Sequence, residues 1–365
     1  MNSLTKSIAR WNRGRSVYRQ RAAGVAAIFC MTCSSTFAAD AKITLRLADS
    51  VPATHPISVN GTKFWMDEVK RLTHGQVDFQ WYPAEQLGKA KNLLALTQAG
   101  TADVGRIGAS YTPEKLPLTA VEELPGMIGS SCEGSQALWN LTKASGNGIL
   151  EEKEYAPLHL KVVFAFSNAP YEVQTTKIRQ VKTPNDMKGL KLKTLGGASD
   201  DTAQRVGAIP VQMAVADLFL SLQRGTVDGR FGAFGSVKAN STEDVLKYST
   251  LGVQVGSFAV IGVISDKVWD KLPQDVRDAM LTAGDETWKN FCTREDAASG
   301  QIRKELEQKY AWIVHDLTPP EREEWRTALA PVQQKWARDL DKSGKPGSAV
   351  LDAFHQEIEH IRAAR

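Results

Sequence analysis

Gln98-Ala99-Gly100-Thr101-Ala102-Asp103 returns later in the chain as Gln223-Arg224-Gly225-Thr226-Val227-Asp228. Each stretch ends a helix at a glycine, turns on a threonine and leads through an aspartate into a strand. The surrounding order repeats as well. Before the first stretch, Ile43, Leu45 and Leu47 alternate along Lys42 to Ala48, Phe64, Trp65, Val69 and Leu72 follow at helical spacing, and Val77, Phe79 and Trp81 alternate again. A second helix carries Ala90, Leu93, Leu94 and Thr97 up to Gly100, and Val104 opens the next strand. Before the second stretch, His159 to Phe166 and Leu190 to Leu195 read as strands. A helix with Ser199 as cap and Asp200 and Asp201 in its first turn closes at Gly207, Ile209 to Met213 is strand-like, and a helix with Leu218, Phe219 and Leu222 ends at Gly225. Strand, helix, strand implies parallel pairing. The repeated grammar predicts two similar α/β lobes facing a cleft at the carboxyl ends of their strands.

The chain has 365 residues, too many for one ordinary core and suited to two domains. Its first 38 residues differ from the rest. Lys6, Arg10, Arg13, Arg15, Arg19 and Arg21 precede a short apolar run from Ala22 to Cys33, and no acid occurs before Asp40. This is the pattern of a secretory signal peptide, with Thr36 and Ala38 placing the cut after Ala38. The run is too short to span a bilayer, so no lasting membrane insertion is expected. Removing those six basic residues from the 45 leaves 39 against 41 acidic, a net charge of −2 for the mature chain. The apparent basicity belongs to the export segment, which argues against nucleic acid as a partner. Cys30 and Cys33 fall inside that segment and are not a redox or metal motif. Cys132 and Cys292 remain in the mature chain, and the sequence is compatible with either a disulfide or two free thiols.

Beyond the second repeat, Val253 to Ile264 reads as a buried strand returning to the first lobe. Amphipathic segments then run from Lys271-Leu272-Pro273 to Arg365, broken at Pro319-Pro320, with Trp288, Trp312, Trp325 and Trp336 expected to pack helices on the lobes. The first lobe is expected to comprise residues 39–168 and 253–295, the second residues 169–252 and 296–365.

Six motifs occur in order: His55-Pro56; Tyr82-Pro83-Ala84-Glu85-Gln86-Leu87-Gly88; Thr183-Pro184-Asn185-Asp186-Met187-Lys188-Gly189-Leu190-Lys191; Gly207-Ala208-Ile209-Pro210-Val211; Leu222 to Gly229; and Trp269-Asp270-Lys271-Leu272-Pro273. Together they resemble the solute-binding proteins of tripartite ATP-independent periplasmic (TRAP) transporters, over essentially the whole mature chain. The resemblance implies a two-lobed α/β fold with a hinge of crossing strands and a long helix across both lobes. It also implies closure on a small organic solute, usually an organic acid, in the periplasm, and delivery to a small and a large membrane subunit without a cofactor.

This chain departs from the family where the solute is held. Lys193 stands where most members carry an arginine that grips a carboxylate, Glu172 falls at a second basic position, and Arg230-Phe231-Gly232 replaces the usual Gln-Glu-Asn. Lysine offers a point charge in place of arginine's bidentate fork. Lys193 and Arg230 together could hold an organic anion, the preferred reading, with Glu172 turned away or paired to one of them. Alternatively Glu172 with Tyr171, Phe231 and Phe234 could receive a neutral or amine-bearing solute. Asp228 is read as a turn-stabilising residue. The same fold could also report to a sensor instead of a permease.

A secreted enzyme is the remaining class, and its motifs are missing: there is no G-x-S-x-G elbow, no H-E-x-x-H and no glycine-rich phosphate loop. His355 and His360 are five apart, which spreads them around a helix, so no metal site is expected.

Overall fold

The computed structural model describes residues 42–143, 148–213 and 215–364; the expected export segment lies outside them. The strands are β1 (Ile43–Ala48), β2 (Val77–Tyr82), β3 (Val104–Gly108), β4 (Leu160–Ser167), β5 (Glu172–Thr175), β6 (Lys191–Thr194), β7 (Ile209–Gln212), β8 (Gly229–Gly232), β9 (Tyr248–Leu251), β10 (Ala259–Ser265) and β11 (Ile313–Asp316). The helices are α1 (Lys63–Leu72), α2 (Leu93–Gln98), α3 (Ser131–Thr142), α4 (Ala198–Arg205), α5 (Leu218–Gln223), α6 (Ser236–Ala239), α7 (Asp266–Trp269), α8 (Gln274–Lys309), α9 (Pro319–Lys342) and α10 (Gly347–Ala363).

Two sheets result, ordered β2-β1-β3-β10-β4 and β11-β9-β5-β8-β6-β7. Read from the β2 edge of one and the β7 edge of the other, five positions match in strand direction, and β11 adds a sixth strand to the second sheet. In each, a parallel trio is followed by one antiparallel strand, β10 in the first and β5 in the second. That antiparallel strand arrives from the opposite lobe: β4 of the first sheet runs on into β5, and β9 of the second runs on into β10. The two crossing segments are also bonded to each other, with Tyr171 N–H donating to Gly256 O at 2.7 Å and Val255 N–H to Tyr171 O at 2.9 Å. They form the hinge. Gly256 has φ +135°, and a Cβ there would meet the Glu123 carbonyl oxygen at 2.5 Å, so only glycine fits this crossing.

The repeated corner that suggested two equivalent lobes is equivalent in atomic detail. Arg46 N–H donates to Asp103 Oδ2 at 2.8 Å while Asp103 N–H returns a bond to Arg46 O at 2.9 Å. In the second lobe Lys191 N–H donates to Asp228 Oδ2 at 2.8 Å and Asp228 N–H returns to Lys191 O at 2.7 Å. The basic side chains reach the same carbonyl in each copy: Arg46 Nη2 bonds Gly100 O at 2.8 Å and Lys191 Nζ bonds Gly225 O at 2.7 Å. Both glycines have positive φ, +78° and +69°. The aspartate ties the turn after the helix to the neighbouring strand.

Apolar residues fill both faces of each sheet. Helix α8, at 36 residues about 54 Å long, packs on α1, α3 and β4 of the first lobe. It reaches the second through Leu306, which joins Leu218, Phe234 and Trp312, and through the Lys238–Glu305 ion pair. Trp325 and Trp312 pack in the second lobe with their indole N–H groups bonded to the carbonyls of Lys182 and Glu243; Trp336 packs in the first. One expectation needs correction. The C-terminal segment was assigned to the second lobe, yet α10 and the end of α9 bury Trp336, Val350, Leu351, Phe354 and Ile358 in the first lobe's core against α3. A helix at the chain end goes where its apolar stripe finds a matching face, which the sequence does not specify.

Cys132 on α3 and Cys292 on α8 form a disulfide across 160 residues of chain, resolving the alternatives left by the sequence. Closing so long a loop restricts the unfolded ensemble, by about 2–4 kcal/mol in typical cases. The double variant Cys132→Ser, Cys292→Ser should therefore unfold at lower temperature or denaturant concentration than the oxidised parent by that amount, and should match the reduced parent. Equal midpoints for oxidised and reduced protein would contradict the pairing.

Candidate functional site

Lys193 on β6 and Arg230 on β8 are register partners, and Gln174 on β5 is the partner of Arg230 on its other side. Alternation along the strands puts the three side chains in a row on one face of the second sheet. Arg230 Nε donates to Gln174 Oε1 at 2.8 Å, and its Nη2 lies 3.4 Å from Ala233 O. Gly232 makes this pose possible, since a Cβ there would meet Arg230 Nε at 2.7 Å. The arginine and the glycine two residues on thus form a sterically matched pair.

Both cations are buried, at 5 % and 2 % exposure, and among the described residues neither has a carboxylate partner. Desolvation, then the Arg230 charge, pulls the Lys193 ammonium down to about 7; desolvation pulls Arg230 down to about 10. Gln174 Nε2 is a further buried donor with no acceptor. Lys193 and Arg230 therefore face a space where the described residues supply no anion.

That space is a cavity of about 50 Å³ between the lobes. From the second lobe come Lys193, Arg230, Leu195, Leu218 and Asn240; from the first, Val51, His55, Ile57, Tyr111 and Phe258; from the hinge, Asn168 and Tyr171. The Tyr171 hydroxyl lies 3.3 Å from Asn168 Nδ2, and burial raises its pKa well above the ordinary value, which keeps it a neutral partner.

Of the six residues singled out by sequence, Lys193, Arg230, Tyr171 and Phe231 line this cavity. Phe231 also belongs to the core formed with Val173, Leu192 and Trp325. Glu172 and Phe234 do not reach it. The Glu172 carboxylate accepts the N–H groups of Gly252 and Val253, both at 2.9 Å, and lines a separate space behind the hinge with Phe234, which packs on Trp312. Glu172 therefore neither repels an anion in the cleft nor receives an amine there. Pattern reading also missed Gln174, His55, Tyr111 and Asn240. Gln174 is found only through the β5–β8 register, and the other three come from segments between strands.

Two halves joined by crossing strands and closing on a small, cation-lined cavity define a solute-binding protein of the hinged, two-lobed class. The profile of the bacterial extracellular solute-binding proteins, family 7 (DctP), matches residues 47–339, and the chain belongs to that family, whose members serve TRAP transporters. It is 25 % identical over 309 residues to the C4-dicarboxylate-binding periplasmic protein DctP of Rhodobacter capsulatus, covering 82 % of this chain and 87 % of that protein. A TRAP periplasmic solute-binding protein from Desulfovibrio salexigens superposes with a TM-score of 0.75 at 27 % identity, covering 87 % of this chain and 96 % of that one; its ligand site, in an open complex, holds the C-terminus of a neighbouring molecule. A TRAP solute-binding protein from Rhodoferax ferrireducens, in complex with benzoate, shares the fold with a TM-score of 0.78 at 22 % identity, covering 89 % of this chain and all of that one. These relatives are binding proteins. No described helix is long and apolar enough to cross a membrane.

The buried acids around the hinge set the pH dependence of stability. Desolvation raises Glu172 to about 8, Glu122 to about 7 where its carboxylate accepts from Ser167 and Ser257, and Glu123 to about 8 where it accepts from Ser110 and the Ala259 N–H. Each folded-state pKa lies above the unfolded value, so the neutral forms stabilise fully below about pH 4.5, and that contribution is lost as pH rises through 7 to 8. Lys193 is displaced the other way, and its contribution recovers only as pH rises from about 7 towards the unfolded lysine value. Thermal unfolding of the ligand-free protein should thus show Tm falling between pH 5 and pH 8, with a shallower fall in Glu172→Gln. A Tm that rises across this range would contradict the assignment.

Proposed function

We propose that this protein captures a small organic anion whose carboxylate sits on Lys193 and Arg230, and hands it unchanged to TRAP membrane subunits. The observation that carries the reading is the pair of adjacent buried cations with no anionic partner. A buried charge left unpaired is costly, and an incoming carboxylate offsets that cost while gaining charge-assisted hydrogen bonds. Export through the amino-terminal segment, with a mature chain beginning near Ala39, would bring the protein to the periplasm where such a solute is met. The absence of catalytic motifs in the sequence supports capture without chemistry. The placement of Glu172 behind the hinge leaves the amine-bearing alternative without its counter-charge.

The test is a thermal-shift screen of the mature protein followed by calorimetry. An acid present at 100 times its Kd should stabilise the fold by about 2.7 kcal/mol. Lys193→Met and Arg230→Met should each weaken that binding by about 10- to 100-fold, the value of one charge-assisted contact, whereas Lys193→Arg should retain it. Stabilisation by amines or polyols alone, or acid binding indifferent to both methionine variants, would overturn the reading.

A further inference from the structure

One contact in the cleft joins the lobes directly. His55 of the first lobe is hydrogen-bonded through its side chain to Asn240, which follows α6 in the second. The Asn240 Oδ1 is buried, and the described residues offer it no other partner. Backbone bonds set both ends in place: Val59 N–H donates to His55 O at 2.9 Å, His55 N–H to Pro52 O at 3.0 Å and Asn240 N–H to Ser236 O at 3.1 Å. A tie of this kind exists only while the halves are together, so its free energy counts towards the shut form alone.

The tie is made by a neutral ring. His55 Nδ1 accepts the Ile57 N–H at 3.2 Å, so the one ring proton sits on Nε2, the nitrogen left to donate to Asn240. A second proton would go to Nδ1 and meet the Ile57 N–H, donor against donor. The charged neighbours oppose it as well. Lys193 and Arg230 line the same cavity from β6 and β8. Arg106 on β3 is paired with Asp49, Nε to Oδ1 at 2.8 Å, and Tyr111 and Tyr171 are held uncharged by burial. Burial, then the Arg106 charge, pulls the His55 ring down to about 4, against smaller opposite effects of Asp49 and Asn240. When the lobes part, the ring regains water on its cleft side and returns towards the ordinary value of 6.5.

We propose that His55 and Asn240 form a proton-gated latch between the lobes, shut by a neutral imidazole and released when that ring takes up a proton. They are positioning residues for capture, one from each half. Closing expels the proton from any ring that carries one. The latch therefore contributes in full above about pH 6.5 and is lost as pH falls towards 4. Lys193 works the other way, since acid restores its charge and strengthens its hold on a carboxylate. If the solute is an organic anion, as proposed above, the two groups confine its capture to a window around neutral pH.

Calorimetry on the mature protein at pH 7.5 and pH 5.5 tests this, with succinate, malate, benzoate and 3-hydroxybenzoate as probes. His55→Gln keeps an N–H donor near the place of Nε2 and cannot titrate; His55→Phe keeps the bulk and loses the donor. At pH 7.5 His55→Gln should bind the tightest of the four acids within about threefold of the parent, and His55→Phe about tenfold more weakly. On going to pH 5.5, the affinity of His55→Gln should rise relative to the parent by about three- to tenfold, because only the parent loses its latch. The same pH profile in parent and His55→Gln, or parent-like binding by His55→Phe at pH 7.5, would overturn the latch and leave the anion reading intact. If none of the four acids binds, the anion reading falls and this inference with it.

Discussion

Gln174, Arg230 and Lys193 cross three strands of the second sheet at one register, and no carboxylate among the described residues pairs with them. Most buried charges in a folded chain are paired, as Arg106 is with Asp49 on the other side of the cleft. Leaving two cations unpaired and nearly without solvent is a cost that the second lobe's core must carry. Gly232 belongs to the same constraint, because any side chain there would displace the guanidinium. Lys193, Arg230 and Gly232 therefore form one coupled arrangement. The positive charge at this place is divided between two side chains, one of them a lysine that binds its proton more weakly than a free one.

Closure follows from how the cavity is divided between the lobes. The cations stand on the second lobe, and most of the apolar wall and His55 stand on the first. A solute resting on Lys193 and Arg230 makes its remaining contacts only when the first lobe swings in, and this difference in contact free energy is what can shift the equilibrium towards the shut form. The crossing segments that must bend are bonded to each other and held from beneath by Glu122 and Glu123. The Cys132–Cys292 disulfide ties α3 to the part of α8 within the first lobe. Helix α8 continues to the second lobe at Leu306, far along its length from that tie.

The fold was legible because its signals are local. The helix-end glycine, the turn and the aspartate of each repeated corner lie within six residues, and both corners form as that pattern requires. Lys193 and Arg230 were legible as chemistry through their position in ordered motifs. Their adjacency was not, because it arises from β6 and β8 pairing across an intervening strand and two helices. Gln174 was invisible for the same reason. Glu172 had two places open to it, turned away or in the cleft, and it is turned away because its backbone sits at the start of β5 beside the hinge, where the N–H groups of Gly252 and Val253 donate to its carboxylate. Phe234 was drawn away by an apolar neighbour, Trp312, that follows it at long range. Long-range packing also decided the place of α10.

The claim on which the rest stands is that Lys193 is a buried cation whose counter-charge is supplied by the solute. Its ammonium can be followed directly by nitrogen-15 resonance in selectively labelled protein, titrated with and without a bound organic acid. The account predicts a free-state midpoint near 7, displaced upward by more than about one unit when the acid is bound, because a carboxylate in contact favours the charged form. A midpoint near the ordinary lysine value in the free protein, or one that does not move on binding, would contradict it.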